Sequence, residues 1–262
     1  MHVALLGLGE GGRLYAIGLR AAGNRVTAFD PVAPTTPDGV ERRDTAAEAV
    51  ADAELVLSLV GANAAAAAAA AALPAMTRGA VFADLNTMAP EAKAALAASS
   101  AAHHIAFADV AVMAPIPRAG VNTPLLVSGA GAERFRELFA VPGVSVRDVG
   151  ETAGTAAGLK LLRSVFMKGL AALVFEATTA AEHSGSVDWI IDEMAGELGE
   201  SGRALVDRLI EGTRQHAVRR EHEMRDVEAY LEQLGSPGWM TSATVRWLQK
   251  IAEDGEPGAP QP

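Results

Sequence analysis

The first thirty residues, MHVALLGLGEGGRLYAIGLRAAGNRVTAFD, set Gly7, Gly9 and Gly12 directly after a short apolar run and ahead of a helical pattern. Val3 to Leu6 read as a buried parallel strand, and the β-branched Val26 and Thr27 open a second one that ends at Asp30, eighteen residues after Gly12. A chain that turns sharply from strand to helix, and lets a charged group approach bare backbone, needs glycine at this spacing. The N–H groups at the helix start then face an anion. Strand, Gly-x-Gly-x-x-Gly, helix, strand and acid in this order predict a dinucleotide site built on Gly7, Leu8, Gly9, Glu10 and Gly12; the alternative is a tight turn with no ligand. Asp30 is placed to accept hydrogen bonds from adenosine ribose hydroxyls and to repel a 2′-phosphate, which predicts NAD. Arg42 and Arg43 follow in the next segment and leave NADP open if they fold back.

Half of the 262 residues are apolar, enough for one large or two modest domains. A formal net charge of −10 leaves no basic stripe for a phosphate backbone, so nucleic acid is not an expected partner. The chain has no cysteine, which excludes disulfides, thiol catalysis and cysteine metal sites. No carboxylate or histidine cluster has metal-ligand spacing, so no metal is expected. The longest apolar run, Ala62 to Leu73, is interrupted by Asn63, is closed by Pro74, and is too short to span a bilayer. Its alanines suit a helix packed closely on a sheet. The first core strand begins at residue 3 with nothing like a signal peptide before it, and a cytoplasmic location is expected.

Up to residue 150 strand and helix alternate. Strands are expected at Glu54 to Val60, Ala80 to Asp84, His104 to Val110, Pro124 to Ser128 and Val144 to Val149. Helices are expected at Thr45 to Ala51, Ala64 to Ala72, Pro90 to Ser99 and Ala132 to Phe139. This alternation predicts an α/β, Rossmann-like domain over 1–150 with a mostly parallel sheet and helices on both faces, its ligand at the carboxyl ends of the strands. After Gly150 the 3.6-residue period takes over, which predicts an all-α domain over 151–254 serving substrate binding or dimerisation. Its helices are expected at Thr152 to His183, Val187 to Leu198, Gly202 to Leu234 with a break near Gly212, and Thr241 to Glu253, with Trp239, Met240 and Trp247 packing the last one. Residues 255–262, GEPGAPQP, read as a disordered tail.

The segment Asp84-Leu85-Asn86-Thr87-Met88-Ala89-Pro90, the turn after Val60 formed by Gly61, Ala62 and Asn63, and the run Gly154-x-x-x-Gly158-x-Lys160 resemble motifs of the β-hydroxyacid dehydrogenase superfamily. The resemblance covers nearly the whole chain. Within the superfamily, DVAVMAPIP, TPLLVSG, LKLLRSVFMKGLAAL and HAVRREHEM look like a narrower group, the 6-phosphogluconate-dehydrogenase-like NAD-binding proteins with an uncharacterised helical C-terminal domain. The resemblance implies that Val60, Gly61 and Asn63 contact the cofactor, that Asn86 or Thr87 fixes its nicotinamide side, and that Lys160 is the general acid and base. Lys168, eight residues on, lacks the glycine approach and ranks second.

Two positions depart from the superfamily pattern: Ser164 stands where asparagine usually follows the lysine, and Met113 takes the place of a substrate-orienting serine. Met113 cannot donate a hydrogen bond. Ser164 is expected to orient the reacting hydroxyl, and Arg163 is either a carboxylate clamp or a structural salt-bridge donor. His216, Arg219, Arg220 and Glu223 share a helical face; the face is either solvated or gives His216 and Arg220 to an anionic substrate. The implied activity is an NAD(P)-dependent oxidoreductase acting on a small hydroxy acid or sugar acid, in a homodimer. The alternatives are an imine reductase-like enzyme and a non-catalytic NAD(P)-binding protein.

Overall fold

The computed structural model describes residues 1–254, and the GEPGAPQP segment lies outside the described residues. Two compact units divide the chain, Met1–Lys160 and the residues from Leu161 onward.

In the first unit the strands are β1 (His2–Leu6), β2 (Arg25–Phe29), β3 (Glu41–Arg42), β4 (Leu55–Ser58), β5 (Val81–Asp84), β6 (Ala106–Val112), β7 (Leu125–Ser128) and β8 (Val146–Asp148). They form one sheet in the order β3-β2-β1-β4-β5-β6-β7-β8. All neighbours pair in parallel except β6 and β7, which are antiparallel. The sheet is therefore mostly parallel, with its last two strands reversed. The connection between β6 and β7 carries α5 (Ile116–Ala119) and a 3-10 turn at Gly120–Asn122, with no longer crossover helix. Neither α5 nor β3 was expected from the sequence, and β6 runs to Val112, two residues past the expected Val110.

Alternate residues of each strand feed two cores. Val3 and Leu5 pack with Tyr15, Ala16 and Leu19 of α1 (Glu10–Ala21) and with Phe135 and Leu138 of α6 (Ala132–Leu138). Ala4, Leu6, Val56 and Phe82 face the other way, onto α2 (Ala46–Val50), α3 (Ala62–Ala72) and α4 (Pro90–Ala102). Each fully buried Leu or Phe contributes about 1.5–3 kcal/mol. In α3 the buried residues are Ala65, Ala69 and Ala72, a stripe at helical spacing. Alanine there lets the helix axis approach the sheet.

The second unit holds the rest of α7 (Thr155–Glu182), α8 (Val187–Glu197), α9 (Gly202–Gln233) and α10 (Trp239–Asp254). Leu161, Met224, Val227, Leu231, Val245 and Leu248 form one core cluster, and Ala171, Val174, Val206 and Leu209 another. In α9 the helical geometry fails at His216 (φ −127°, ψ 24°), four residues beyond the expected break at Gly212, which stays helical. Trp247 packs beside Ile251 and Phe175 as expected, whereas Trp239 is 83% and Met240 56% exposed. The first unit continues ten residues past Gly150, because the amides of Gly154, Ala156 and Ala157 bond to side chains of β6 and β7.

Candidate active site

The glycine turn sits where β1 hands over to α1. Gly7 has φ +98°, and a Cβ there would stand 2.4 Å from the Leu59 carbonyl oxygen; at Gly12 a Cβ would stand 2.1 Å from the Gly7 oxygen. Both positions exclude any other residue. Gly9 differs: it is the N-cap of α1, caps nothing with a side chain, and a Cβ on it would meet nothing within 4 Å. The first-turn N–H groups of a helix lack intrahelical acceptors, so this open, bare-backbone helix start fits an anionic pyrophosphate. Glu10 is the exposed first residue of the helix.

Asp30 closes β2 beside this turn. Its Oδ2 accepts the Leu8 N–H at 2.6 Å, and its Oδ1 accepts from Val32 and Ala33, both at 2.8 Å. Burial pushes its pKa up, but the three backbone N–H donors and the nearby Arg42 charge outweigh it, and the carboxyl titrates below its ordinary value. Arg42 braces the same loop from outside, donating to the Asp30 and Ala33 carbonyls at 2.7 Å, while Arg43 pairs with Glu41 at 2.6 Å.

A row of polar residues crosses the buried sheet near the carboxyl ends of its strands. Leu6 pairs with Ser58, Ser58 with Asp84, Asp84 with Asp109 and Asp109 with Ser128, so all point to one face. Lys93 of α4 reaches down to this row. Its Nζ lies 2.6 Å from Asp84 Oδ1, 2.8 Å from the Asp84 carbonyl and 3.3 Å from Asp109 Oδ1. Asn86 Nδ2 donates to Asp84 Oδ2 at 2.6 Å and to Ser58 Oγ at 3.0 Å, and its Oδ1 accepts the Gly61 N–H at 2.7 Å. Gly61 (φ +87°) is the exposed N-cap of α3, with Val60 half-buried before it and Asn63 exposed after it. Asn86, expected to face a cofactor, is thus buried and spends its amide holding the Gly61 turn.

At the other end, Asp109 Oδ2 accepts from Gly154 N at 3.0 Å, Ala157 N at 3.1 Å and Ser128 Oγ at 3.2 Å. Gly154 has φ +98° and its missing Cβ leaves room for the Pro90 carbonyl, which would stand 2.7 Å away. One turn and a half into the helix that follows, Lys160 donates from Nζ to Thr87 Oγ1 at 2.8 Å. Lys160 and Thr87 are both half-buried, as is Met113 just past the end of β6.

In the second unit Ser164 accepts from Lys168 Nζ at 3.0 Å, and Lys168 pairs with Glu223 at 2.7 Å. Burial pushes the Lys168 pKa down, against the pull of Glu223. Arg219 also reaches Glu223, at 2.6 Å, and Arg220 donates to the Thr213 hydroxyl. His216, at the kink, is half-buried, and Arg163 is exposed. Among the described residues no group of histidines and carboxylates is placed to hold a metal ion, and no helix is long and apolar enough to cross a membrane.

A family model described as the NAD binding domain of 6-phosphogluconate dehydrogenase matches residues 2–141, more than half of the chain. The chain belongs to that family. A second model, a domain of unknown function (DUF1932), matches residues 181–251. A solved structure of a conserved hypothetical protein from Sinorhizobium meliloti 1021 is 34% identical, with a TM-score of 0.77 over 95% of this chain and 87% of that one. Two more distant structures show the fold alone. They are 3-hydroxyisobutyrate dehydrogenase of Mycobacterium tuberculosis (20% identity, TM-score 0.82, 97% of this chain and 94% of that one) and an imine reductase of Streptomyces aurantiacus (21%, 0.65, 97% and 95%). An uncharacterized 28.5 kDa protein of Methanothermus fervidus is 27% identical over 131 residues. That match spans 49% of this chain and 51%, about half, of the curated relative.

In this member of the 6-phosphogluconate dehydrogenase-like family, the residue missed by sequence reasoning is Lys93. Its signal was present: Lys93, Leu96 and Ser100 are the buried positions of α4, so a lone lysine occupies the apolar stripe of an otherwise alanine-rich helix. A lysine on such a stripe needs a buried counter-charge, and Asp84 and Asp109 supply it.

Proposed function

We propose that the protein is an NAD(P)-dependent oxidoreductase acting on a small hydroxy acid or sugar acid, with Lys160 as proton donor and acceptor. The observation that carries this reading is the hydrogen bond from Lys160 Nζ to Thr87 Oγ1, which sets an ammonium beside the loop leaving β5. In open α/β sheets, ligands bind outside the carboxyl ends of the strands. The bare start of α1 at Gly9 receives the pyrophosphate, and Asp30, ionised and held by Leu8, Val32 and Ala33, favours ribose hydroxyls over a 2′-phosphate. NAD is therefore the preferred nucleotide in this proposal. The nicotinamide supplies the hydride chemistry. Neutral Lys160 takes the hydroxyl proton of the acid being oxidised and returns it in reduction. Thr87 aims the lysine by accepting one of its N–H groups.

A second reading, hydride transfer to a carbon–nitrogen double bond, is favoured by one feature: Met113 puts a thioether where the superfamily pattern has a hydrogen-bonding serine. The experiment is a thermal-shift titration with NADH and NADPH, each alone and with panels of hydroxy acids, sugar acids and cyclic imines, followed by turnover of any stabilising ligand. A ligand of the native state must raise its melting temperature with occupancy. NADH stabilisation, a further shift from one acid, and turnover abolished in Lys160→Met with NADH binding intact are expected. Turnover that survives Lys160→Met rejects the role of the lysine, and no shift with either nucleotide rejects the cofactor site.

A further inference from the structure

Lys93 Nζ is sealed from solvent, with its side chain 1% exposed and those of Asp84 and Asp109 at 0%. Two carboxylates on adjacent strands, paired Asp84 to Asp109, would repel one another in a dry interior. A single ammonium serves both. Their remaining bonds lead in opposite directions: Asp84 through Asn86 to the Gly61 N–H, and Asp109 to the Gly154 and Ala157 N–H groups at the head of the helix bearing Lys160. Buried ion pairs often add little net stability over apolar packing, and in some proteins they fix a geometry instead.

We propose that Lys93 is a positioning residue, which through Asp84 and Asp109 couples the Gly61 turn to the Gly154 turn and so holds Lys160 in register with the strand ends. Its consequence for catalysis rests on the role proposed above for Lys160; the coupling itself does not. A role confined to stability would hold both turns only as far as the whole fold holds them. Coupling makes a local change at one turn felt at the other while the fold stays intact.

The test uses the full chain without nucleotide. The sequence has only four lysines, Lys93, Lys160, Lys168 and Lys250, so 13Cε-lysine labelling follows Lys160 individually, while native-state hydrogen exchange follows Gly61 and Gly154. In Lys93→Met, exchange at both amides is expected to accelerate by about tenfold or more, the factor for losing a charge-assisted hydrogen bond. The Lys160 signal and its pH titration are expected to move, and Lys93→Arg to restore part of each. Should Lys93→Met not fold, Ser128→Ala removes a donor to Asp109 and the acceptor of the Ala156 N–H while leaving the three charges in place; faster exchange at Gly61 as well as Gly154 is then expected. Faster exchange at Gly154 alone, in either variant, overturns the proposal. NADH titration of the wild-type chain separates the two readings: no binding removes the cofactor assignment and leaves the coupling standing, whereas binding with uncoupled turns removes the role of Lys93.

Discussion

Lys160 donates from Nζ to the Thr87 hydroxyl across 2.8 Å, joining positions 73 residues apart in the chain. Thr87 lies in the loop between β5 and α4, so the bond ties the lysine to the carboxyl end of a central strand. In Thr87→Val the acceptor is lost at nearly constant volume. Turnover of the acid found by the ligand panel is expected to fall by about one to two orders of magnitude, the scale of a misplaced catalytic group. KM should change little, and Thr87→Ser should recover most of the rate in steady-state kinetics.

Asp30 predicts an acid-range stability effect. Its folded-state pKa lies below the ordinary carboxylate value, because the hydrogen bonds from Leu8, Val32 and Ala33, with Arg42, outweigh its burial. The unfolded chain then binds more protons on acidification, so the contribution is present above about pH 4 and is lost as pH falls through the folded value. Asp30→Asn is expected to melt lower than wild type at neutral pH and to converge with it on acidification. A melting-temperature gap that stays constant across that range would remove the carboxylate from the account.

Glu223 balances Lys168 in the second unit, and burial holds the Lys168 pKa below its ordinary value despite that partner. Stability therefore rises with pH from the folded value up to about 10.4, where the unfolded lysine also deprotonates. Glu223→Gln removes the counter-charge. Urea unfolding is expected to show a loss of about 1–3 kcal/mol at neutral pH, shrinking as the solution becomes alkaline.

Tyr15 carries a buried hydroxyl without a hydrogen-bond partner, and burial raises its pKa strongly. Its ring stacks on Phe139 at 6.1 Å between centroids, an interaction that phenylalanine keeps. Tyr15→Phe is expected to stabilise the protein by about 1 kcal/mol in denaturant titrations. A loss of that size would mean that the hydroxyl is bonded in solution.

The glycine turn and most strands were readable because they rest on local rules: glycine where a Cβ has no room, and apolar runs where both faces of the sheet are covered. The direction of β7 was not, since LLVS has the same pattern whether it runs parallel or antiparallel to β6. Glu41 and Arg42 form a strand only because β2 offers a pairing edge; nothing apolar marks them. The break in α9 falls at His216 and not at Gly212, because glycine lowers helix propensity without fixing where a helix yields. Within the site, Lys160 and Thr87 were singled out from the resemblance, but their hydrogen bond was not foreseen. The bonds of Asn86 to Gly61, Ser58 and Asp84, and the ion pairs of Lys93, are not legible in the sequence, since both depend on side chains that meet only after the sheet has formed.

The ends of the sheet are its shortest strands: β3 has two residues, Glu41 and Arg42, and β8 has three, among them Arg147 and Asp148. A sheet whose interior is as apolar as β1, β4 and β5 would be a template for stray chains if such strands lay at its border. Here an arriving strand meets only a few unpaired backbone groups set among charged side chains. Short, charged strands of this kind disfavour the recruitment of a ninth strand, so the residues that complete the sheet also blunt its borders.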